Sequence, residues 1–252
     1  MTPSKLGSMF SPVSQSVTIS GANPPAVNFT GAPLQAGLSI DATAWGDQGT
    51  ARTTITTAPF STKSSNELLL AFIAADAASG TKKAVSKVTG AGLTWVLVKR
   101  TNAQLGTAEI WRAFASAPLT NVNVTATLSQ AVASSLTVLS FSGMNTSGTN
   151  GSGAIGATAT GNANPGAPTA SLTTTRNNSW VIGVGNDWDN PIARTPGANQ
   201  TLVHQYMPPV CDTYWVQRMN TPTPTAGTSV TLSDTAPTGD RYNLSIVEVL
   251  TP

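Results

Sequence analysis

The chain has 252 residues, a formal net charge of +2 and only 10% charged residues, against roughly 25% in an average soluble domain. With 40% hydrophobic residues it is no disordered chain, which would combine high net charge with low hydrophobicity. It also lacks the basic footprint that nucleic acid requires: the densest basic group is Lys82, Lys83 and Lys87, with no aromatic between them. Thr, Ser, Gly, Ala and Asn take the share that charge leaves. Thr and Val favour strands, because β-branched side chains fit a pleated surface, and 17 prolines and 22 glycines supply turns and break helices. The composition predicts an all-β protein. Cys211 is the single cysteine, so no intramolecular disulfide is possible. No apolar run approaches the roughly 18 residues of a membrane span, so no membrane insertion is expected. A polar, Lys-poor chain of this kind is expected to be extracellular or on a cell surface.

In chain order, residues 1–32 come first and differ from the rest. Their opening, Met1-Thr2-Pro3-Ser4-Lys5, lacks the apolar core of a signal peptide. Two strand-like pieces follow, SQSVTIS (14–20) and AVNFT (26–30). Beyond them the chain repeats itself. IDATAWG (40–46) is echoed by IGATATG (155–161), and STKSSNELLLAFI (61–73) by TTRNNSWVIGV (174–184). LTWVLVKR, AEIWRAF, VNVTATL and SLTVLSF (93–141) are then answered in order by QTLVHQY, DTYWVQR, SVTLSD and NLSIVEV (200–249). Trp111 and Trp215 fall at matching places. The reading is a duplication, with copies at 38–146 and 150–252. Each copy carries short strand-like runs separated by turns, the pattern of an antiparallel sandwich.

The runs at 68–75 and 180–185 are continuously apolar and predict central strands covered on both faces. TVLSFSG (137–143) alternates and predicts a strand with one wet face. NTSGTNGSG (145–153) reads as a flexible linker by composition. Whether the copies are separate domains or share one core is left open.

The Thr-Pro-Ser-Lys, Phe-Ser-Pro, Val-Thr-Ile and Val-Asn-Phe series of residues 1–32 resembles the closing strands of a carboxypeptidase-regulatory-like or transthyretin-like β-sandwich. The resemblance implies that this segment is a remnant of a preceding module, in a chain cut from a longer protein. The remainder, with Asn66-Glu67-Leu68-Leu69-Leu70, Gly92-Leu93-Thr94-Trp95, Gly106-Thr107-Ala108-Glu109-Ile110-Trp111 and Gly185-Asn186-Asp187-Trp188-Asp189, resembles Ig-like β-sandwich modules of large secreted bacterial proteins. That resemblance implies architecture and location and transfers no site. The expected fold is all-β: two duplicated antiparallel β-sandwich modules, Ig-like or jelly-roll-like, with an extra N-terminal β segment.

Chemistry is sparse. His204 is the only histidine, and no Gly-x-Ser-x-Gly elbow is present. Cys211 shows nothing that would lower its thiol pKa. One Cys and one His cannot close a structural zinc site. Glu67, Glu109 and Glu248 each lie inside a strand run, far from the paired arrangement a glycosidase needs. Calcium takes oxygen ligands, and Asp187, Asp189 and Asn190 are the candidate set. Four tryptophans, Trp95, Trp111, Trp180 and Trp215, lie in strand runs and are expected in the core. Trp188 and Trp45 lie near turns, so Trp188, Trp45, Asp187 and Asp189 are the candidate ligand-binding residues. No catalytic residue is assigned.

The expectation is a non-catalytic, secreted or cell-surface structural or adhesive module, whose partners are other domains of a larger surface protein or copies of itself. Two alternatives stand beside it. A carbohydrate-binding module of a secreted enzyme would take polysaccharide. An extracellular filament subunit would donate its N-terminal strands to a neighbour. A stalk would join the two copies end to end.

Overall fold

A computed structural model describes residues 1–5, 8–21, 26–33, 37–79 and 83–252. In chain order the strands begin with β1 (Ser8–Ser11), β2 (Thr30–Pro33), β3 (Ser39–Thr56), β4 (Glu67–Ala75), β5 (Val85–Gly90), β6 (Val96–Thr101), β7 (Thr107–Ala115) and β8 (Val124–Ser142). After one 3-10 turn at Ser152–Ala154 come β9 (Ile155–Ala163), β10 (Thr169–Thr173), β11 (Trp180–Asp187) and β12 (Thr195–Pro196). The last four are β13 (Gln200–Tyr206), β14 (Thr213–Met219), β15 (Ser229–Ala236) and β16 (Tyr242–Val249). The fold is all-β and antiparallel, with no α-helix among the described residues, and so no helix there that could cross a membrane.

Residues Met1–Ala36 form one compact unit and Gly37–Pro252 another. In the first, β1 pairs with β2. The strand-like pieces expected at 14–20 and 26–30 meet the observed pairing only at Thr30; SMFS and TGAP pair instead. Strand propensity needs a partner ladder to act on, and Ile19, at 79% exposed, has found none.

In the second unit, each half builds a large and a small sheet in one strand order. The first half's large sheet runs β3-β8-β4-β7-β6, and the second's runs β9-β16-β11-β14-β13. The small layers correspond too: the ends of β3 and β8 pair with each other and β8 pairs with β5, while β10 pairs with β15 and β15 with β12. The first half reaches both layers with two long strands. The second half cuts each in two, at Asn164–Pro168 and at Pro237–Arg241, where prolines remove ladder donors. The corresponding stretches of β3 and β8 contain no proline and stay in the strand.

Alternation along a strand explains the apolar runs. On β4, Leu69, Ala71, Ile73 and Ala75 enter a core inside the first half, with Val85, Val124 and Trp111. Leu68, Leu70, Phe72 and Ala74 point the other way, into a core shared with Trp180, Ile182, Val184, Tyr214, Val216, Val247 and Val249 of the second half. Val181, Trp215, Leu232, Leu244 and Ile246 fill the second half's own core. The two ranges 38–146 and 150–252 therefore share one central core, and the layers run small sheet, large sheet, large sheet, small sheet. They are stacked face to face, which is not the end-to-end arrangement of a stalk. β8 is correspondingly buried from Val132 to Phe141, so TVLSFSG has no wet face: Leu136 and Val138 face one core, Leu139 and Phe141 the other.

The linker also differs from its composition. Met144 and Ala154 are inserted in the shared core. Asn145 N donates to Leu250 O at 2.9 Å, and Gly153 N to Ser147 O at 3.0 Å. At Gly151, with φ of 76°, an added Cβ would lie 2.7 Å from Leu68. The segment is a packed, hydrogen-bonded turn.

The halves meet as two subunits of an isologous dimer would, each using the same surface. β4 packs on β11, β7 on both β11 and β16, and reciprocally β14 packs on both β4 and β8. β6 lies on β9 at one rim, and β3 meets β13 at the other through side chains. Register confirms the correspondence. Asn66 and Asn178 both enter β4 and β11 at φ of 57°, a left-handed conformation Asn tolerates. The ladders of both β6 and β13 are bulged, between Leu97 and Lys99 and between Leu202 and His204. In this register Trp111 and Trp215 are not counterparts. Trp111 lies opposite Ala71, while Trp215 lies opposite Gly185, the counterpart of Ile73. Trp215 thus takes the place of Glu109. Glycine makes the room, since a Cβ on Gly185 would sit 2.1 Å from the Trp215 ring.

Candidate functional site

β3 and β13 are edge strands of the two large sheets, so their side chains reach solvent at the rim of the shared core. Trp45 and Asp47 are two residues apart on β3 and share a face. The Trp45 ring stacks on the His204 imidazole, with centroids 5.0 Å apart and planes at 22°. Both Asp47 carboxylate oxygens lie 3.0 Å from His204 Nε2, and Ser135 Oγ donates to Asp47 Oδ1 at 2.8 Å. Further along β3, Gln48 Nε2 donates to Thr50 Oγ1 at 2.5 Å. Gly49 lets the second half close in: a Cβ there would lie 2.6 Å from the Tyr206 hydroxyl. Burial raises the pKa of that hydroxyl, and the Asp47 charge raises it further. Trp45 remains 47% exposed.

Ser, His and Asp thus converge, but not as a nucleophilic triad. In a triad the imidazole stands between hydroxyl and carboxylate and takes the hydroxyl proton. Here Ser135 and His204 both address the carboxylate. The carboxylate in contact with His204 is Asp47.

The opposite rim is a comparison built into the molecule. There Thr160 and Asn162 of β9 are the counterparts of Trp45 and Asp47, and Gln104 Nε2 donates to Asn162 Oδ1 at 3.1 Å. Asn243, counterpart of Ser135, accepts from Gln104 N at 2.9 Å and donates to Leu105 O at 3.0 Å. Thr101 and Ser245 hydroxyls meet at 2.7 Å. Neutral amides and hydroxyls bridge the halves at this end.

The acidic loop after β11 is engaged in its own structure. Asp187 is buried and pairs with Arg194, whose side chain is fully buried and lies over the Trp215 ring at 4.7 Å. Asp240 approaches Arg194 at 3.9 Å and accepts from Asn190 Nδ2 at 2.8 Å. Asp187 also accepts from Asp189 N at 2.8 Å, and Asp189 accepts from Arg241 N at 2.6 Å. Trp188 is half-buried under the Arg241 guanidinium, 5.2 Å from its ring. Arginines thus answer Asp187, Asp189 and Asp240, the charges a calcium ion would have to satisfy. Among the described residues no group of three or more His, Cys, Asp or Glu side chains is arranged to hold a metal. The ligand-binding candidates fall in two places: Trp45 at the β3–β13 rim, and Trp188, Asp187 and Asp189 in this loop.

Several other ionisable groups are buried in the fold. Glu109 is fully buried and accepts from Val85 N at 2.7 Å, Arg100 Nη2 at 3.0 Å and Trp111 Nε1 at 3.0 Å. Burial lifts Asp234 to about 7, against the opposing pull of Arg194 and Gln217. Burial likewise lifts Asp212 to about 8, with Asp76 and Asp189 adding to the rise and the Tyr214 hydroxyl, donating at 2.7 Å, opposing it. Lys83 turns inward to the Ser79 carbonyl, and Lys82 lies outside the described residues. Cys211 is exposed, at φ of 72°. Asp47 was not singled out in the sequence. Its period-two spacing from Trp45 was the available signal, but its partner His204 is 157 residues away, a distance no local pattern spans.

Comparison with family models, curated proteins and solved structures finds no match for the chain.

Proposed function

We propose that the chain is a non-catalytic structural module of a secreted or cell-surface protein, in which two β-sandwiches are joined face to face into one mechanical block. The shared central core supports this reading. A pair of sandwiches that buries Leu68, Leu70 and Phe72 of one half against Ile182, Val184 and Val247 of the other resists separation, whereas sandwiches on a flexible linker would swing apart. The low charge suits the same role, since an uncharged, hydroxyl-rich surface stays inert toward nucleic acid and acidic membranes. Pulling single molecules from both ends tests it. The expected trace shows Gly37–Pro252 giving way in one force event. Two events, each releasing about half of that length, would overturn the reading.

A second reading, self-assembly, is supported by the N-terminal unit. Its two strands leave Met9 58%, Val13 76% and Ile19 79% exposed, and a two-stranded ribbon cannot bury its own apolar side. Light scattering across a concentration series checks it. Assembly that is lost in Met9→Asp/Val13→Asp supports strand donation, and a monomer at every concentration removes it.

A further inference from the structure

A block joined face to face depends on its joint, and one hydrogen-bonded node in that joint carries an ionisable group. Tyr214 of β14 reaches from the second half to the first. It is fully buried, and its hydroxyl lies 3.2 Å from Ala133 O of β8. The same hydroxyl lies 2.7 Å from Asp212 Oδ2, on a residue only 1% exposed. Asp76 N donates to the same carbonyl at 3.0 Å, so Ala133 O ties the end of β4 to the start of β14.

A phenol has one proton to give, and Tyr214 faces two oxygens. Ala133 O only accepts. With Asp212 as a carboxylic acid, Asp212 donates to Tyr214 Oη and Tyr214 donates onward to Ala133 O, so every group is satisfied. With Asp212 as a carboxylate, both oxygens compete for one proton. A charged acceptor forms the stronger bond, so the Tyr214 proton turns to Asp212 and the bond across the halves is given up. The charge left behind is badly placed. Asp76 from the end of β4 and Asp189 from the loop after β11 repel it. The Tyr206 phenol of β13 also faces this node, its ring 6.4 Å from that of Tyr214. Among the described residues no basic side chain forms an ion pair with Asp76 or Asp212.

We propose that Asp212, Tyr214 and Ala133 form a proton-gated latch between the halves, closed while Asp212 holds its proton and open once that proton has left for solvent. The proposal rests on the joined-block reading and adds a control to it. Burial, the largest cause, lifts Asp212 from 3.8 to about 8. The folded state therefore holds the proton more tightly than the unfolded chain. The latch's contribution is fully present below 3.8 and is lost as pH rises through about 8.

Carbon-13 labelling of tyrosine Cζ tests it in the full chain. The chain has three tyrosines, and the Tyr214 signal is the one missing from Tyr214→Phe. That signal is expected to shift in one step centred near about 8. Asp212→Asn should abolish the step, because its amide donates to Tyr214 Oη at every pH, and Asp76→Asn should move it to lower pH by removing a repelling charge. Across the same step the unfolding temperature of wild type should fall further than that of Asp212→Asn; Glu67 and Asp234 titrate in both proteins and cancel. A flat Tyr214 signal, a step that survives in Asp212→Asn, or equal falls in unfolding temperature overturns the proposal. Should Asp212→Asn not fold, a step that Asp76→Asn leaves in place overturns it. None of these outcomes changes the number of force events expected on pulling, so the latch and the block fail separately.

Discussion

Each half must satisfy the same two backbone amides where the chain turns into its central strand, and each does so with a carboxylate from a different place. In the first half Asp41 of β3 accepts from Lys63 N at 2.5 Å and Ser64 N at 3.4 Å. In the second half the Asp41 position is Gly156, and Glu248 of β16 accepts from Thr175 N at 2.7 Å and Arg176 N at 3.3 Å. A Cβ on Gly156 would lie 2.2 Å from Glu248 Oε2, so the glycine admits the longer acid. The position opposite is transposed as well: Glu67 and Ser140 in one half stand where Ser179 and Glu248 stand in the other. The structure retains the demand, two turn amides needing an acceptor, while the residue that meets it moves. Glu248 does more, since it also accepts from Ala157 N at 2.9 Å and Thr175 Oγ1 at 2.8 Å. Burial pushes its carboxyl up, but these donors and Ser179 outweigh that and lower it. Glu67 is left without good acceptor contacts, and burial beside Asp41 lifts it to about 7.

Breaking what the halves share should cost most. Phe72 is 1% exposed in the central core, and Phe72→Ala is expected to destabilise the protein by about 3–5 kcal/mol, lowering the unfolding temperature of both halves together. Gly185→Ala comes next: the added methyl meets the Trp215 ring, and such overpacking costs about 1–3 kcal/mol by denaturant titration. The two caps then separate the halves. Glu248→Ala leaves several partly buried donors unpaired, at about 1–3 kcal/mol, whereas Asp41→Ala exposes its amides to water and should cost about 1 kcal/mol or less. The smallest effect is one of pH. Glu67 has a folded-state pKa raised from 4.5 to about 7, so the folded state holds the extra proton. Its contribution is fully present below about 4.5 and is lost as pH rises through about 7. Glu67→Gln should flatten the fall in unfolding temperature across that window, while Glu248 acts with the opposite sign in acid.

The core strands were legible because both faces of β4 and β11 are buried, and an unbroken apolar run is the direct record of that. The partner of that burial was not legible. Leu68 reads the same whether it meets solvent-excluding loops or the other half's Ile182, which lies more than 100 residues away along the chain. Composition misdirected twice for one reason. The serines and threonines of 134–140, and the glycines of 145–153, look solvent-facing, yet small residues are also what fits between two closely packed sheets. Trp188 and Trp45 looked alike, each beside a turn with Asp nearby. Their ring partners set them apart: Arg241 lies over Trp188 and His204 stacks on Trp45, and such partners are tertiary facts.

Differential scanning calorimetry of the full chain is the most direct test of the shared core. One endotherm is predicted for Gly37–Pro252, with calorimetric and van't Hoff enthalpies in agreement and the whole transition moving down in Phe72→Ala. Two resolved endotherms, or a Phe72→Ala shift confined to one of them, would contradict it.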